Sequence, residues 1–387
     1  MRSWNAPMGE TLGALLAATG GSIRTGPFGT VLSAAEYTTH GVPVISVGEL
    51  DHGTIRLRAT TPRVDPDTTE RLAEYLLRPG DLVLGRKGAV DRSAWVRPEE
   101  DGYFLGSDGI RVRFGDGDGV LSRFMAYQFR SPAVREWLLR NAAGTTMLSL
   151  NERVLRQLPV TVPGPGAQRA IAEVLGALDD KIANNDRIVL VTDRLCAADT
   201  AKASAESGTP RPLRDVATFV YGRALPAAKR IPGPVPVYGS GGLCGHHSAA
   251  LVDRPGIVVG RKGTVGAVHW ADGPHFPIDT TYSVRSVRQG TEEVLYYLLR
   301  TVRLGALDSD SAVPGLNREE AYRQTVRVPD DDGLASLSTI LRQRFALLRS
   351  VRAESRTLAR TRDELLPPLL SGRIRVRDAE RTVAEAL

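Results

Sequence analysis

Two tetrapeptides, Gly85-Arg86-Lys87-Gly88 and Gly260-Arg261-Lys262-Gly263, hold the residue types best suited to binding chemistry in this 387-residue chain. Two glycines around two cations make a tight turn whose bare backbone can approach a polyanion closely. Arginine can grip guanine O6 and N7, or a phosphate, through paired hydrogen bonds, while lysine supplies a point charge. Each copy follows an apolar run that reads as a strand. Seen once, such a turn is a common solvated hairpin tip. Its return 175 residues later (260 − 85), in an otherwise diverged setting, favours contact with phosphate or bases. The turn is not a P-loop, because no Gly-x-x-x-x-Gly-Lys-Ser/Thr occurs.

Other candidate chemistry is weaker. Gly239 to Gly245 resembles a dinucleotide fingerprint, but Cys244 stands where the third glycine belongs and no amphipathic helix follows, so it reads as a flexible loop facing the ligand. His246 and His247 are adjacent and diverge in an extended chain, which is poor chelating geometry. A metal-dependent enzyme built on Asp279, His269 and His275 is an alternative reading. Asp179-Asp180-Lys181 lies inside a heptad pattern and reads as solvated helix charge. Asp108, Asp116 and Asp118 read as a turn, since the bidentate glutamate of a calcium loop is missing. No nucleophile elbow or Ser-His-Asp order stands out.

The elements that must position the two turns also occur twice. Leu148-Ser149-Leu150-Asn151-Glu152, running on to Val160-Thr161-Val162-Pro163, resembles Val313-Pro314-Gly315-Leu316-Asn317-Arg318, running on to Val326-Arg327-Val328-Pro329. The two asparagines are 166 residues apart (317 − 151), so the halves share a frame and differ in filling. A repeat of this length is not a solenoid unit, which runs about 20–50 residues. Strands are expected at Val42 to Val47 and Leu82 to Leu84, and helices at Leu121–Arg130 and Pro132–Asn141, the latter capped by Ser131.

A long helix follows each half. Ile171, Leu175, Leu178, Ile182 and Val189 fall on alternating four- and three-residue steps, with Asn185 at a seam position where an amide commonly specifies pairing. Leu337, Leu341, Leu348, Val351, Leu358 and Leu365 do the same near the C-terminus, interrupted by Arg344 and Ser355 and ended by Pro367-Pro368. The stripes look too narrow to serve a globular core and are expected to bury against each other. The fold class is therefore α+β: mixed domains at 1–163 and 207–330, joined by long coiled-coil-like helices at 164–206 and 331–387 in an internal repeat.

Composition bounds the reading. Fifty Lys and Arg against 44 acids give a net charge of +6 and a pI near 9.5, a mildly basic balance compatible with phosphate binding. Cys196 and Cys244 are the only cysteines and form no CxxC pair, so a cysteine zinc site or disulfide framework is not expected. No run reaches the roughly 18 apolar residues of a membrane span, and a soluble intracellular protein is expected.

The first half carries Ile23-Arg24-Thr25-Gly26-Pro27-Phe28-Gly29, Tyr37 and Pro79-Gly80-Asp81-Leu82. The second carries Val235-Pro236-Val237-Tyr238-Gly239-Ser240-Gly241-Gly242, Gly256 to Gly266 and Ile278-Asp279-Thr280-Thr281-Tyr282. The connecting helix reads Gln168 to Ile182, and the tail runs Leu365-Leu366-Pro367-Pro368-Leu369-Leu370-Ser371-Gly372-Arg373-Ile374. In this order, over nearly the whole chain, these segments resemble the specificity subunit of a type I restriction-modification enzyme. The resemblance implies two target-recognition domains, each reading half of a split double-stranded DNA site, separated by two antiparallel helices that act as a spacer in a pseudo-twofold arrangement. It implies DNA contacts at Arg24, Tyr37, Arg86, Lys87, Tyr238, Ser240, Arg261, Lys262 and Thr264. Implied partners are two methyltransferase subunits, which would bind S-adenosylmethionine and flip the target adenine, and a restriction-translocase subunit. The chain itself would be non-catalytic, without metal or cofactor, in the cytoplasm of a bacterium or archaeon. A coiled-coil scaffold that binds only protein is a further alternative.

Overall fold

The structure, a computed structural model, describes residues 10–386 apart from 30, 52, 59, 116–121 and 308–314. Asp116, Asp118, Leu121, Val313 and Pro314 lie outside the described residues. The chain divides into two compact units, residues 1–182 with 356–387 and residues 183–355. Both long helices, Pro165–Glu206 and Asp331–Leu370, contribute a segment to each unit.

In the first unit an antiparallel sheet is ordered Ser22–Thr25, Gly109–Arg113, Leu82–Gly85, Ser93–Trp95. The run Leu82-Val83-Leu84 is fully buried, as its lack of polar alternation requires. A second sheet holds Val42–Ile45, which pairs in parallel with Phe104–Leu105. Ser122–Arg130 and Pro132–Asn141 form helices, and Ser131 Oγ accepts from Val134 N–H at 3.4 Å.

The second unit repeats this order. Its main sheet runs Ala217–Tyr221, Thr281–Ser286, Gly256–Gly260, Val268–Ala271, again antiparallel. Its second sheet again has a parallel pair, Val235–Gly239 with Phe276–Pro277. The segment expected to be a flexible loop is instead a hairpin. Val235–Gly239 pairs antiparallel with Gly242–His247, so ladder hydrogen bonds order it, and Gly242 takes φ 103° at the turn, which glycine accepts without strain.

The helix stripes do more than meet each other. Ile171, Leu175, Leu178, Leu358 and Leu365 belong to the main core of the first unit, together with Leu12, Leu82 and Phe124, and Ile182 packs at its edge. In the second unit Leu337, Leu341 and Phe345 belong to the core with Phe219 and Tyr282, Leu348 is buried and Val189 is half-buried. A narrow stripe suffices because the sheet and short helices of each unit cover its flanks. Within the second unit Asn185 Nδ2 donates to Glu354 (2.8 Å) and Ser355 (3.2 Å), while Asp199 pairs with Arg344 at 2.6 Å, so the helices run antiparallel there. The two residues that interrupt the heptad pattern are thus polar partners of the facing helix.

Two expectations about this helix pair are corrected. Asp179 is not solvated: Tyr127 donates to it at 2.8 Å, and Arg130 and Arg362 each donate at 2.7 Å, all within the first unit. Burial works to raise its carboxyl, but the two guanidinia outweigh that and hold it below the usual carboxylate range. Pro367-Pro368 do not end the second long helix, which continues to Leu370 because the prolines occupy its last turns. It closes at Gly372 (φ 70°), where Arg373 N–H donates to Pro368 O and Gly372 N–H to Leu369 O.

Candidate nucleic-acid interface

Each Gly-Arg-Lys-Gly turn hangs from the same strand of its sheet and is tied down by the same backbone bonds. Arg86 N–H donates to Asp108 O at 2.7 Å, and Arg261 N–H to Thr280 O at 2.8 Å. Arg86 O accepts from Leu150 N–H, and Arg261 O accepts from Leu316 N–H, both at 2.8 Å. The following asparagine then caps a short helix: Asn151 Oδ1 accepts from Val154 N–H, and Asn317 Oδ1 from Glu319 N–H. The repeated Leu-Asn signature is therefore the anchor of the turn.

Glycine at both ends is sterically required. A Cβ on Gly85 would lie 2.4 Å from Ala89 O, and one on Gly260 would lie 2.1 Å from Thr264 O. Gly88 and Gly263 take φ 77° and 82°, a left-handed conformation that favours glycine.

The two cations of each turn play different parts. Arg86 lies 4.7 Å from the ring centroid of Phe28 and donates to Ser107 O at 3.1 Å. Arg261 lies 5.3 Å from the ring centroid of Tyr221 and donates to Asp279 O at 3.3 Å. Each arginine is half-buried and braced by an aromatic ring and a carbonyl. Lys87 and Lys262 are exposed; Lys87 leans toward Asp108 at 3.7 Å. The lysines are the freer cations.

In the first unit Tyr37 joins this group. Burial raises its hydroxyl above the ordinary value, and a hydrogen bond to Ser107 and the charge of Asp108 place it beside the segment that braces Arg86 and Lys87. Arg24 lies elsewhere, paired with Glu74 at 3.2 Å and 5.4 Å from the ring centroid of Tyr75. In the second unit Ser240 and Thr264 come together, with Thr264 N–H 3.4 Å from Ser240 Oγ, and Ser240 O meets His269 Nε2 at 2.9 Å. Tyr238 packs edge-on to His275 with its hydroxyl 3.5 Å from Trp270 O.

Sequence reasoning missed the braces. Phe28 stood within a quoted motif, but its pairing with Arg86 spans 58 positions (86 − 28), and Tyr221 carried no motif at all. Among the described residues no group of three or more His, Cys, Asp or Glu is placed to hold a metal, and His269 and His275 instead engage the backbone at Ser240 and Gly273. What each arrangement can do, within its own unit, is present a basic, backbone-braced turn to an anion.

Comparisons with known proteins bear on the fold and on part of the chain. Residues 29–190 match the family model of the type I restriction modification DNA specificity domain. The type I restriction enzyme MjaIX specificity subunit of Methanocaldococcus jannaschii is 33% identical over 70 residues, 18% of this chain and 16% of that relative. The crystal structure of the type I restriction-modification S subunit from M. genitalium superposes with a TM-score of 0.57 at 16% identity, over 95% of this chain and 97% of that one. That likeness concerns the fold, and it covers both units. Residues 29–190 thus match the type I restriction modification DNA specificity domain, and the fold of the chain is similar to that of a type I restriction-modification S subunit.

Proposed function

We propose that the chain is the non-catalytic DNA-reading subunit of a type I restriction-modification complex. It recognises a bipartite duplex target, one half through each unit, and docks two methyltransferase subunits that carry S-adenosylmethionine and a restriction-translocase subunit. The observation that supports this best is the turn built twice, with the same strand, the same backbone bonds and the same Leu-Asn anchor. Because both copies share this chemistry, they suit grip on the DNA backbone, while divergent residues around them suit base reading. The setting proposed is the cytoplasm of a bacterium or archaeon; among the described residues no helix is long and apolar enough to cross a membrane.

The test is a salt titration of the full chain, together with its methyltransferase, on mixed-sequence and target duplexes. Lys87→Ala combined with Lys262→Ala is expected to weaken binding to both and to reduce the slope of log affinity against log salt by about 1.8, from about 0.9 per phosphate contact. An unchanged slope removes the turns from the interface. Absence of DNA binding with the methyltransferase present would favour a protein-binding scaffold instead.

A further inference from the structure

The two turns are alike in backbone but differ in what surrounds them, and the difference is directional. In the second unit, Tyr221 carries two guanidinia: Arg261 at 5.3 Å and Arg318 at 5.2 Å from its ring centroid. Tyr221 is 49% exposed, and Arg261 and Arg318 are half-buried against it, with Arg318 Nε buried and without a hydrogen-bond partner. Tyr221 faces Tyr282 across the sheet, with ring centroids 5.0 Å apart, and the Tyr282 hydroxyl donates to Leu316 O at 3.0 Å. Leu316 N–H in turn donates to Arg261 O. Sheet, turn and the Leu316-Asn317-Arg318 segment are thereby locked into one assembly. Glu319 Oε1 lies 3.9 Å from Arg318 Nε and is largely solvated.

The first unit lacks this assembly. Sheet register aligns Gly85↔Gly109 with Gly260↔Thr281, and Thr25↔Ile110 with Tyr221↔Tyr282. Thr25 and Ile110 therefore stand where the second unit has two tyrosines. Glu152 follows Asn151 where Arg318 follows Asn317, and it pairs with Arg156 at 2.8 Å. Lys87 is partly offset by Asp108. Beside the first turn Glu152 is held by Arg156 and Lys87 leans on Asp108, whereas the second turn has Arg318 in place of Glu152, with Asp279 and Glu319 nearby.

We propose that Arg261, Lys262 and Arg318, with Tyr221 as their positioning residue, form a DNA-phosphate clamp that the first unit does not possess, so that the second unit holds its half-site by one additional phosphate contact. The proposal rests on the DNA-binding reading above. Two guanidinia on one ring repel each other, and a phosphate oxyanion between them relieves that repulsion while accepting charge-assisted hydrogen bonds from both. Phosphate contacts of this kind fix register and orientation without reading sequence.

The test compares full-length variants on a mixed-sequence duplex across a potassium chloride series, with thermal unfolding confirming that each is folded. Arg318→Gln is expected to flatten the salt slope by about 0.9, while Arg318→Lys keeps the slope because the charge remains. Glu152→Arg is expected to steepen it, transplanting the cation to the first unit. Arg318→Met, which keeps an aliphatic stem over the ring, substitutes for the glutamine variant if that one does not fold. If Arg318→Gln keeps the wild-type slope while Lys262→Ala flattens it, the clamp is wrong and the DNA reading survives. If neither changes the slope, or the wild-type chain binds no duplex, both fall together.

Discussion

At the residue scale, the two cations of each turn separate by environment. Arg86 and Arg261 are braced by a ring and a carbonyl, so they shape the turn, whereas Lys87 and Lys262 face solvent. Phe28→Ala is accordingly expected to weaken DNA binding several-fold with little change in salt slope, because it frees Arg86 without removing charge. Fluorescence binding titrations at several salt concentrations check this, and a full unit lost from the slope would contradict it. A second residue-scale prediction concerns His275, which is fully buried in the second unit. Burial holds its imidazole below the ordinary value of 6.5, against the opposing pull of the Gly273 and Arg254 backbone. The unfolded chain therefore takes up a proton first as pH falls, and stability conferred by the neutral ring is full above 6.5 and declines below it. Melting of the wild type should drop between neutral and mildly acidic pH, and His275→Gln should flatten that drop; parallel curves would refute the assignment. The turns themselves were legible in sequence because glycine and cation spacing is local. Their braces were not, since Phe28, Ser107 and Tyr221 are distant in sequence and reach the arginines only in the folded chain.

At the element scale, the long helices were legible from heptad spacing, and so was the amide at Asn185, which binds the facing helix at Glu354 and Ser355. The role of Asp179 was hidden, because a helical pattern shows which face an acid occupies but not which guanidinia arrive from other elements. Asp179 holds Arg130 and Arg362, whose side chains are only 8% and 13% exposed. Asp179→Ala removes the carboxylate of Arg130 and leaves Arg362 only the solvated Asp363 at 2.8 Å, and is expected to destabilise the first unit by about 3–5 kcal/mol. Asp180→Ala removes an exposed partner of Arg123 and is expected to cost under about 1 kcal/mol. Denaturant unfolding of the two variants decides this, and equal effects would show that the buried network carries no special weight. The hairpin at 235–247 was misread for a related reason: its glycines suggested mobility, while the ladder that orders them depends on residues Val235 to Tyr238 acting as a strand.

At the scale of the whole molecule, the repeat is the feature from which function follows. Strand order, the parallel pair in the second sheet and the anchored turn recur in both units, although the sequence between landmarks has diverged. Such a molecule has two similar basic turns with different surroundings, and under the proposed function that fits two different half-sites better than one continuous palindrome. Substitutions around Ser240 and Thr264 should then alter recognition of one half only. The most direct measurement is methylome sequencing of a methylation-free host that co-expresses this chain with its methyltransferase. The account predicts methylated adenines within a motif of two unlike parts separated by unspecified bases. A continuous palindromic motif, or no motif above the methyltransferase-only background, would contradict it.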